Sequence, residues 1–273
     1  MRILIETHHP SDIHFFKHAV REWTGRGDDV LLLGRDRDVM KALLRAYDYI
    51  PCRILSSERH DNRFPLAEML ERQLGVARSI RSFRPDVVLS LMGSYSQSAA
   101  LFRVPNLVFT DSEHQSFNHR IAHPFATRIY TPECFEKDLG RKQRRYAGYH
   151  ELAFLHPARF SPDPRVLPEL GVEAQSYVVV RTSAWNTLHD IGKGGLGPRL
   201  EEVVRELSRR ARVFLVPEAG RLPKELEALR LGARPERYHD VLAHARLVLS
   251  EGASTASEAA CISPARFCNQ PTW

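Results

Sequence analysis

Three short stretches of this chain carry residue types and spacings that can do chemistry. The first is Leu247-Val-Leu-Ser-Glu251 followed by Gly252-Ala-Ser-Thr-Ala-Ser-Glu258. It reads as a buried strand, a small-residue turn, and a helix that opens on hydroxyls. Free N–H groups at a helix start favour negative charge, and small side chains let a ligand approach the backbone, so Ser254 and Thr255 suit a diphosphate. Glu258, one turn further, is placed to hold a ribose. An ordinary strand-to-helix junction capped by Ser254 or Thr255 has the same composition. The second stretch is Arg181-Thr182-Ser183-Ala-Trp-Asn186, after the apolar run Tyr177–Val180. A guanidinium stays charged and grips two phosphate oxygens at once, which makes Arg181 the cation of choice, with a surface ion pair as its plainer role. The third is Asp111-Ser-Glu113-His114, after the strand-like Asn106–Thr110, with His14 near the start of the first helical pattern. Asp111, Glu113 and His14 are candidate general bases, although Asp111 and Ser112 are also good helix caps.

These residues need a scaffold that puts strand ends beside helix starts. Arg2–Glu6 is a short apolar run, Thr7–Asp12 a polar turn, Ile13–Val20 a helical pattern closed by Gly25–Gly27, and Val30–Leu33 a second apolar run. Strand candidates continue at Cys52–Leu55, Asp86–Leu91, Asn106–Thr110 and Arg128–Thr131, with helical patterns over 38–46, 66–83, 95–102 and 116–126. Apolar strands alternating with helices predict a parallel sheet covered on both faces, and such sheets bind ligands beyond their carboxyl ends. The alternation stops in the Pro-rich segment after His156 and restarts with Tyr177–Val180, a helix over 198–210, Val213–Val216, helices over 223–230 and 238–245, and Leu247–Ser250. The expected organisation is an α/β domain over 1–155, a linker over 156–175, and a second α/β domain over 176–273.

Composition narrows the class. A chain of 273 residues with 43% hydrophobic and 26% charged residues can bury one large or two ordinary cores. Thirty-nine Lys and Arg against 33 Asp and Glu, net +6 with a pI near 9.3, fit an anionic substrate; the excess is too modest and dispersed to call for nucleic acid. Four scattered cysteines lack metal-ligand spacing, which points to a reducing cytoplasm. No stretch approaches the roughly 20 apolar residues of a membrane span. His14 and His18 share a helical face beside His8, His9 and Asp12, but the spacing fits no familiar metal motif, so no metal is expected. The Gly192–Gly197 loop lacks the spacing of a phosphate-binding P-loop and reads as a flexible loop. The basic run Lys137–Tyr146 reads as a solvated connector, with contact to anionic lipid headgroups at a membrane periphery as the alternative.

The segments His14-Phe-Phe-Lys17, Arg84-Pro-Asp-Val-Val88, Phe109–His114 with Asn118-His-Arg120, Thr131-Pro-Glu133, Tyr146–Leu152 and Arg181–Asn186 together resemble an uncharacterised prokaryotic domain-of-unknown-function family. That family is similar to GT-B nucleotide-sugar glycosyltransferases and to the non-hydrolysing UDP-N-acetylglucosamine 2-epimerases. The resemblance implies two Rossmann-like domains facing across a cleft, with Ser254, Thr255 and Glu258 on the nucleotide. Arg181, Thr182, Ser183 and Asn186 then lie where donors meet phosphate. It implies a nucleotide-diphosphate sugar as substrate rather than a cofactor, and a glycan or lipid-linked acceptor. Epimerisation and nucleotide-sugar binding without turnover are the alternatives. The epimerase reading is weakened at Met92-Gly-Ser-Tyr95, where those enzymes have an Asp after a Gly, and at Arg181–Trp185, where they have a His-Arg motif. Relative to the family, the second domain is expected to be cut short after the strand-like Ala265–Asn269.

Overall fold

The computed structural model describes residues 1–36, 39–57, 65–183, 195–196, 199–217, 222–262 and 266–269. The chain divides into two compact units, Met1–Phe154 and Leu155–Trp273.

In the first unit β1 (Arg2–Glu6) is buried on both faces, which is why it reads as an unbroken apolar run. It is followed by α1 (Pro10–Gly25), β2 (Asp29–Asp36), α2 (Met40–Ala46), β3 (Cys52–Ser57), α3 (Pro65–Phe83), β4 (Val87–Leu91), α4 (Ser96–Leu101), β5 (Asn106–Phe109), α5 (Ser116–Ile121), β6 (Arg128–Pro132) and β7 (Gln143–Tyr146); α6 (Leu152–Leu155) carries the boundary between units. All strand pairs are parallel, in the order β3-β2-β1-β4-β5-β6-β7. Alternation along β1 sends Ile3 and Ile5 to one core with Ile13, Phe16 and Val20 of α1, and Leu4 to the other with Val76 and Ile80 of α3. The chain runs outward from β1 to β3 and then crosses back to β4, so the strand order reverses between β1 and β4.

That reversal point is built around a buried ion pair. The Arg72 guanidinium on α3 donates to Glu6 Oε1 at 2.8 Å, to the Thr7 carbonyl at 3.1 Å and to the Tyr95 hydroxyl at 3.0 Å, and both charged side chains are all but fully buried. His8 Nε2 meets Glu6 Oε2 at 2.9 Å, and its ring stacks on Tyr95. Burial alone would raise the Glu6 pKa, but His8 and Arg72 outweigh it and hold the carboxyl below its ordinary value. The turn after β4 is equally constrained. Met92 and Gly93 both have left-handed backbones, and a Cβ on Gly93 would lie 2.7 Å from Val108 Cγ2.

The second unit contains α7 (Val166–Leu170), β8 (Tyr177–Thr182), α8 (Leu200–Ser208), β9 (Arg212–Pro217), α9 (Tyr238–His244), β10 (Leu247–Ser250), α10 (Ala253–Ile262) and β11 (Arg266–Asn269), with a parallel sheet ordered β11-β10-β8-β9. Tyr177 and Val179 face one core, Val178 and Val180 the other. Here the reversal falls between β8 and β10.

Three segments differ from their sequence reading. The run Lys137–Tyr146, read as a connector, ends in edge strand β7, whose exposed pattern gives no apolar alternation to detect. The segment 156–175, read as a linker, supplies α7, and Val166 is fully buried against Tyr177 and Val241. Residues 224–229 of the expected 223–230 helix form a 3-10 helix.

Removing one partner of a buried ion pair strands the other charge. Arg72→Ala should therefore destabilise the first unit by about 3–5 kcal/mol in urea unfolding, with Arg72→Ala/Glu6→Gln recovering part of that loss.

Candidate functional site

In the first unit, Asp111 follows β5 and sits at the carboxyl end of the sheet. Its Oδ2 lies 3.1 Å from His150 Nδ1, and its Oδ1 accepts the Ser112 hydroxyl at 3.0 Å. His150 follows β7 at the same end of the sheet and is buried, with the Phe15 ring edge-on at 5.0 Å and the Tyr146 ring parallel at 6.3 Å. Burial opposes ionisation of Asp111, yet the His150 and Ser112 contacts outweigh it and keep the carboxyl below its usual range. A carboxylate on Nδ1 fixes the ring and its tautomer, which leaves Nε2 as the proton acceptor. His150 Nε2 has no hydrogen-bond partner among the described residues. The neighbouring Tyr146 phenol is pushed up by burial and by the Asp111 charge, so it stays protonated.

The other expected bases lie elsewhere. His14 is buried on α1, stacked on Phe154 and edge-on to Tyr47. Glu113 Oε1 accepts the Glu136 N–H at 2.9 Å, so this carboxylate braces the β6–β7 connection rather than joining Asp111. His150 was not singled out by sequence reasoning. Thirty-nine residues separate it from Asp111, and only the parallel order β5-β6-β7 brings the two together.

The first unit also holds a locked pair of imidazoles. His123 Nε2 lies 3.1 Å from the Met92 carbonyl and so carries a proton, while His123 Nδ1 faces His119 Nδ1 at 3.1 Å. Burial, with a smaller contribution from His119, pushes the His123 pKa down to about 4 against the pull of the Met92 carbonyl.

In the second unit, the two expected loops flank the reversal point. Glu251, buried at the end of β10, accepts the Ser183 N–H at 2.7 Å on Oε2 and the Leu196 N–H on Oε1, and its own N–H bonds the Arg181 carbonyl at 3.0 Å. That carboxylate ties the Arg181–Ser183 strand end to the Gly252 turn. Arg181 lies half-buried, with one N–H on the Val216 carbonyl at 3.3 Å. On α10, Ser254 is exposed, Thr255 Oγ1 lies 3.3 Å from the Tyr238 hydroxyl, and Glu258 is buried with Oε1 3.5 Å from His239 Nε2. Thr182 and Ser183 are half-buried at the end of β8; Asn186 and most of the Gly192–Gly197 loop lie outside the described residues. Among the described residues no group of three or more His, Cys, Asp or Glu is arranged to hold a metal ion. No helix among them is long and apolar enough to cross a membrane.

Two parallel α/β units, the second with its candidate residues at the reversal of its strand order, make up a GT-B fold. The chain belongs to the family described as "Protein of unknown function (DUF354)", whose model matches residues 1–220. An uncharacterized protein of Methanocaldococcus jannaschii is 19% identical over 203 residues, covering 71% of this chain and 59% of that protein. Among solved structures, the UDP-GlcNAc 2-epimerase of Methanocaldococcus jannaschii in complex with UDP-GlcNAc and UDP matches with a TM-score of 0.67 and 13% identity, over 98% of this chain and 83% of the epimerase. Spinosyn forosaminyltransferase SpnP matches with a TM-score of 0.59 and 13% identity, over all of this chain and 80% of the transferase. Likeness at this identity establishes the fold.

The locked His123 has a measurable consequence. Folded, it stays neutral down to about pH 4, whereas unfolded it takes a proton near 6.5. The unfolded state therefore binds more protons across this window, and stability is complete above it and falls as pH drops towards 4. Urea unfolding should show the first unit losing roughly 2–3 kcal/mol from this group between pH 7 and 4.5. His123→Gln should flatten that slope.

Proposed function

We propose that this protein transfers a sugar from a nucleotide-diphosphate donor to an acceptor hydroxyl, with the second unit holding the nucleotide and the first unit activating the acceptor. The Asp111–His150 dyad carries the reading, because an imidazole held on Nδ1 by a carboxylate is a general base. His150 Nε2 takes the acceptor proton as its oxygen forms the bond to the anomeric carbon. The bond from that carbon to the diphosphate breaks, and its electron pair leaves with the phosphate oxygen. Arg181 and the start of α10, with Ser254 and Thr255, offset the charge that develops on the diphosphate. Glu258 accepts ribose hydroxyls once His239 yields one of its oxygens, and Thr182 and Ser183 meet the phosphates, a role that the family resemblance implies for Asn186 as well. The reading assigns diphosphate stabilisation to these residues, with no metal or other cofactor.

The acceptor is a glycan or a lipid-linked sugar, and the exposed Lys137, Arg141, Arg144 and Arg145 suit a peripheral contact with anionic headgroups on a cytoplasmic face. The chain spans 59% of the length of the curated relative it matches, and the activity proposed is that of the whole protein.

Two measurements test this reading. His150→Ala should lower donor turnover by about 10²–10⁴-fold while leaving nucleotide affinity intact, whereas Glu258→Ala should weaken UDP binding by about 1–3 kcal/mol in calorimetry. Equal loss of turnover and affinity in His150→Ala would remove the dyad from the chemistry. Incubation with nucleotide sugars in deuterated water should leave the sugar C2 position unlabelled. Deuterium at C2 would replace transfer by epimerisation, and binding with neither exchange nor turnover in acceptor extracts would leave a nucleotide-sugar binding protein.

A further inference from the structure

The first unit also contains a cavity of about 370 Å³ between α5 and the β6–β7 connection, apart from the Asp111–His150 dyad. Its wall brings together Arg120, Lys137, Lys142, His119, His123 and the Ser116 hydroxyl. Two of the cations are anchored. The Lys137 ammonium donates to the Glu113 carbonyl at 3.3 Å, and that of Lys142 donates to the Pro124 carbonyl, which leaves each with further N–H donors. None of the three cations pairs with a carboxylate among the described residues. Asp138, the one acid in the wall, spends Oδ1 on the Gly140 N–H at 2.7 Å, and the nearby Glu113 carboxylate is held by the Glu136 N–H.

Three like charges gathered in a concave wall repel one another and focus a positive potential into the space between them. An anion with several oxygens relieves that repulsion and uses the guanidinium fork, the ammonium donors and the hydroxyl together. A carboxylate has two oxygens to offer, whereas a phosphate has three or more and twice the charge. We propose that this cavity binds a doubly charged phosphate group, carried by a small phosphorylated molecule or by a lipid headgroup. His119 borders the site and reports on it. With His123 Nε2–H on the Met92 carbonyl, the neutral His119 donates Nδ1–H to His123 Nδ1, so the contacts to the anion come from the three cations and His119 senses its charge at close range. The site is independent of nucleotide binding in the second unit.

The test is a titration of the full chain with inorganic phosphate and with pyrophosphate, following the ring resonances of His119 and His123 by NMR and the affinity by calorimetry. Saturable shifts at His119 are expected, with Lys137→Ala and Lys142→Ala each weakening affinity about tenfold and Arg120→Ala/Lys142→Ala abolishing it. Arg181→Ala, in the other unit, should leave the His119 titration unchanged. Co-sedimentation with phosphatidylcholine vesicles containing phosphatidic acid, lost in the same double variant, would identify a headgroup ligand; binding of the soluble anions alone would identify a small phosphorylated molecule. Saturable phosphate binding without any shift at His119, or affinity unchanged in a double variant with a native circular dichroism spectrum, would overturn the proposal, as would no binding of either anion or of the vesicles.

Discussion

The first unit depends on a charge that must be neutralised where water is excluded. Glu6 ends the central strand, at the point where the chain reverses direction across the sheet, and a carboxylate there is affordable only because Arg72 reaches it from α3 while His8 closes its other oxygen. The same guanidinium holds the Thr7 carbonyl and the Tyr95 hydroxyl, so one side chain couples the ends of β1 and β4 to the helix that connects the two halves of the sheet. Pairs of this kind contribute little net stability compared with apolar packing. What they supply is uniqueness, because any other register of α3 would leave two buried charges apart.

The second unit solves the same problem with different chemistry. Glu251 also ends a strand at a reversal point, but its oxygens are taken by backbone N–H groups of Ser183 and Leu196 instead of a cation. A carboxylate held by amides fixes loop backbone, whereas one held by a guanidinium fixes a helix. The arrangement brings the Arg181–Ser183 and Gly252–Glu258 segments together although about seventy residues separate them.

Most of the fold was legible because strands buried on both faces announce themselves as apolar runs, as β1, β4 and β8 do. The elements that escaped lack that signal. Strand β7 has the sequence Gln-Arg-Arg-Tyr, whose pairing is set by β6 and not by its own side chains. The segment 156–175 looks like a linker because prolines dominate it, yet Val166 packs as deeply as any strand residue, and Asp163 bonds Arg237 at 2.8 Å. The candidate site was half legible. Asp111 is conspicuous after a strand, but its partner His150 follows an unrecognised strand, so nothing local connects them. The hint in the sequence was the segment Tyr146–Leu152, which holds His150 and carries part of the family resemblance. Glu258 was visible as a carboxylate on the α10 pattern, whereas its contact with His239 is tertiary.

Strand β7 also leaves one edge of the larger sheet open. An open sheet edge is a template on which another chain can polymerise. On this edge Arg144 curls back onto the Arg141 and Gln143 carbonyls, and Arg145 covers the carbonyls of Glu133 and Phe135. An incoming strand would have to dislodge these guanidiniums and bring its own amides up against two fixed positive charges. The border is thereby closed to fibrous growth by electrostatics, without a covering helix, and crowding should drive association through other surfaces first.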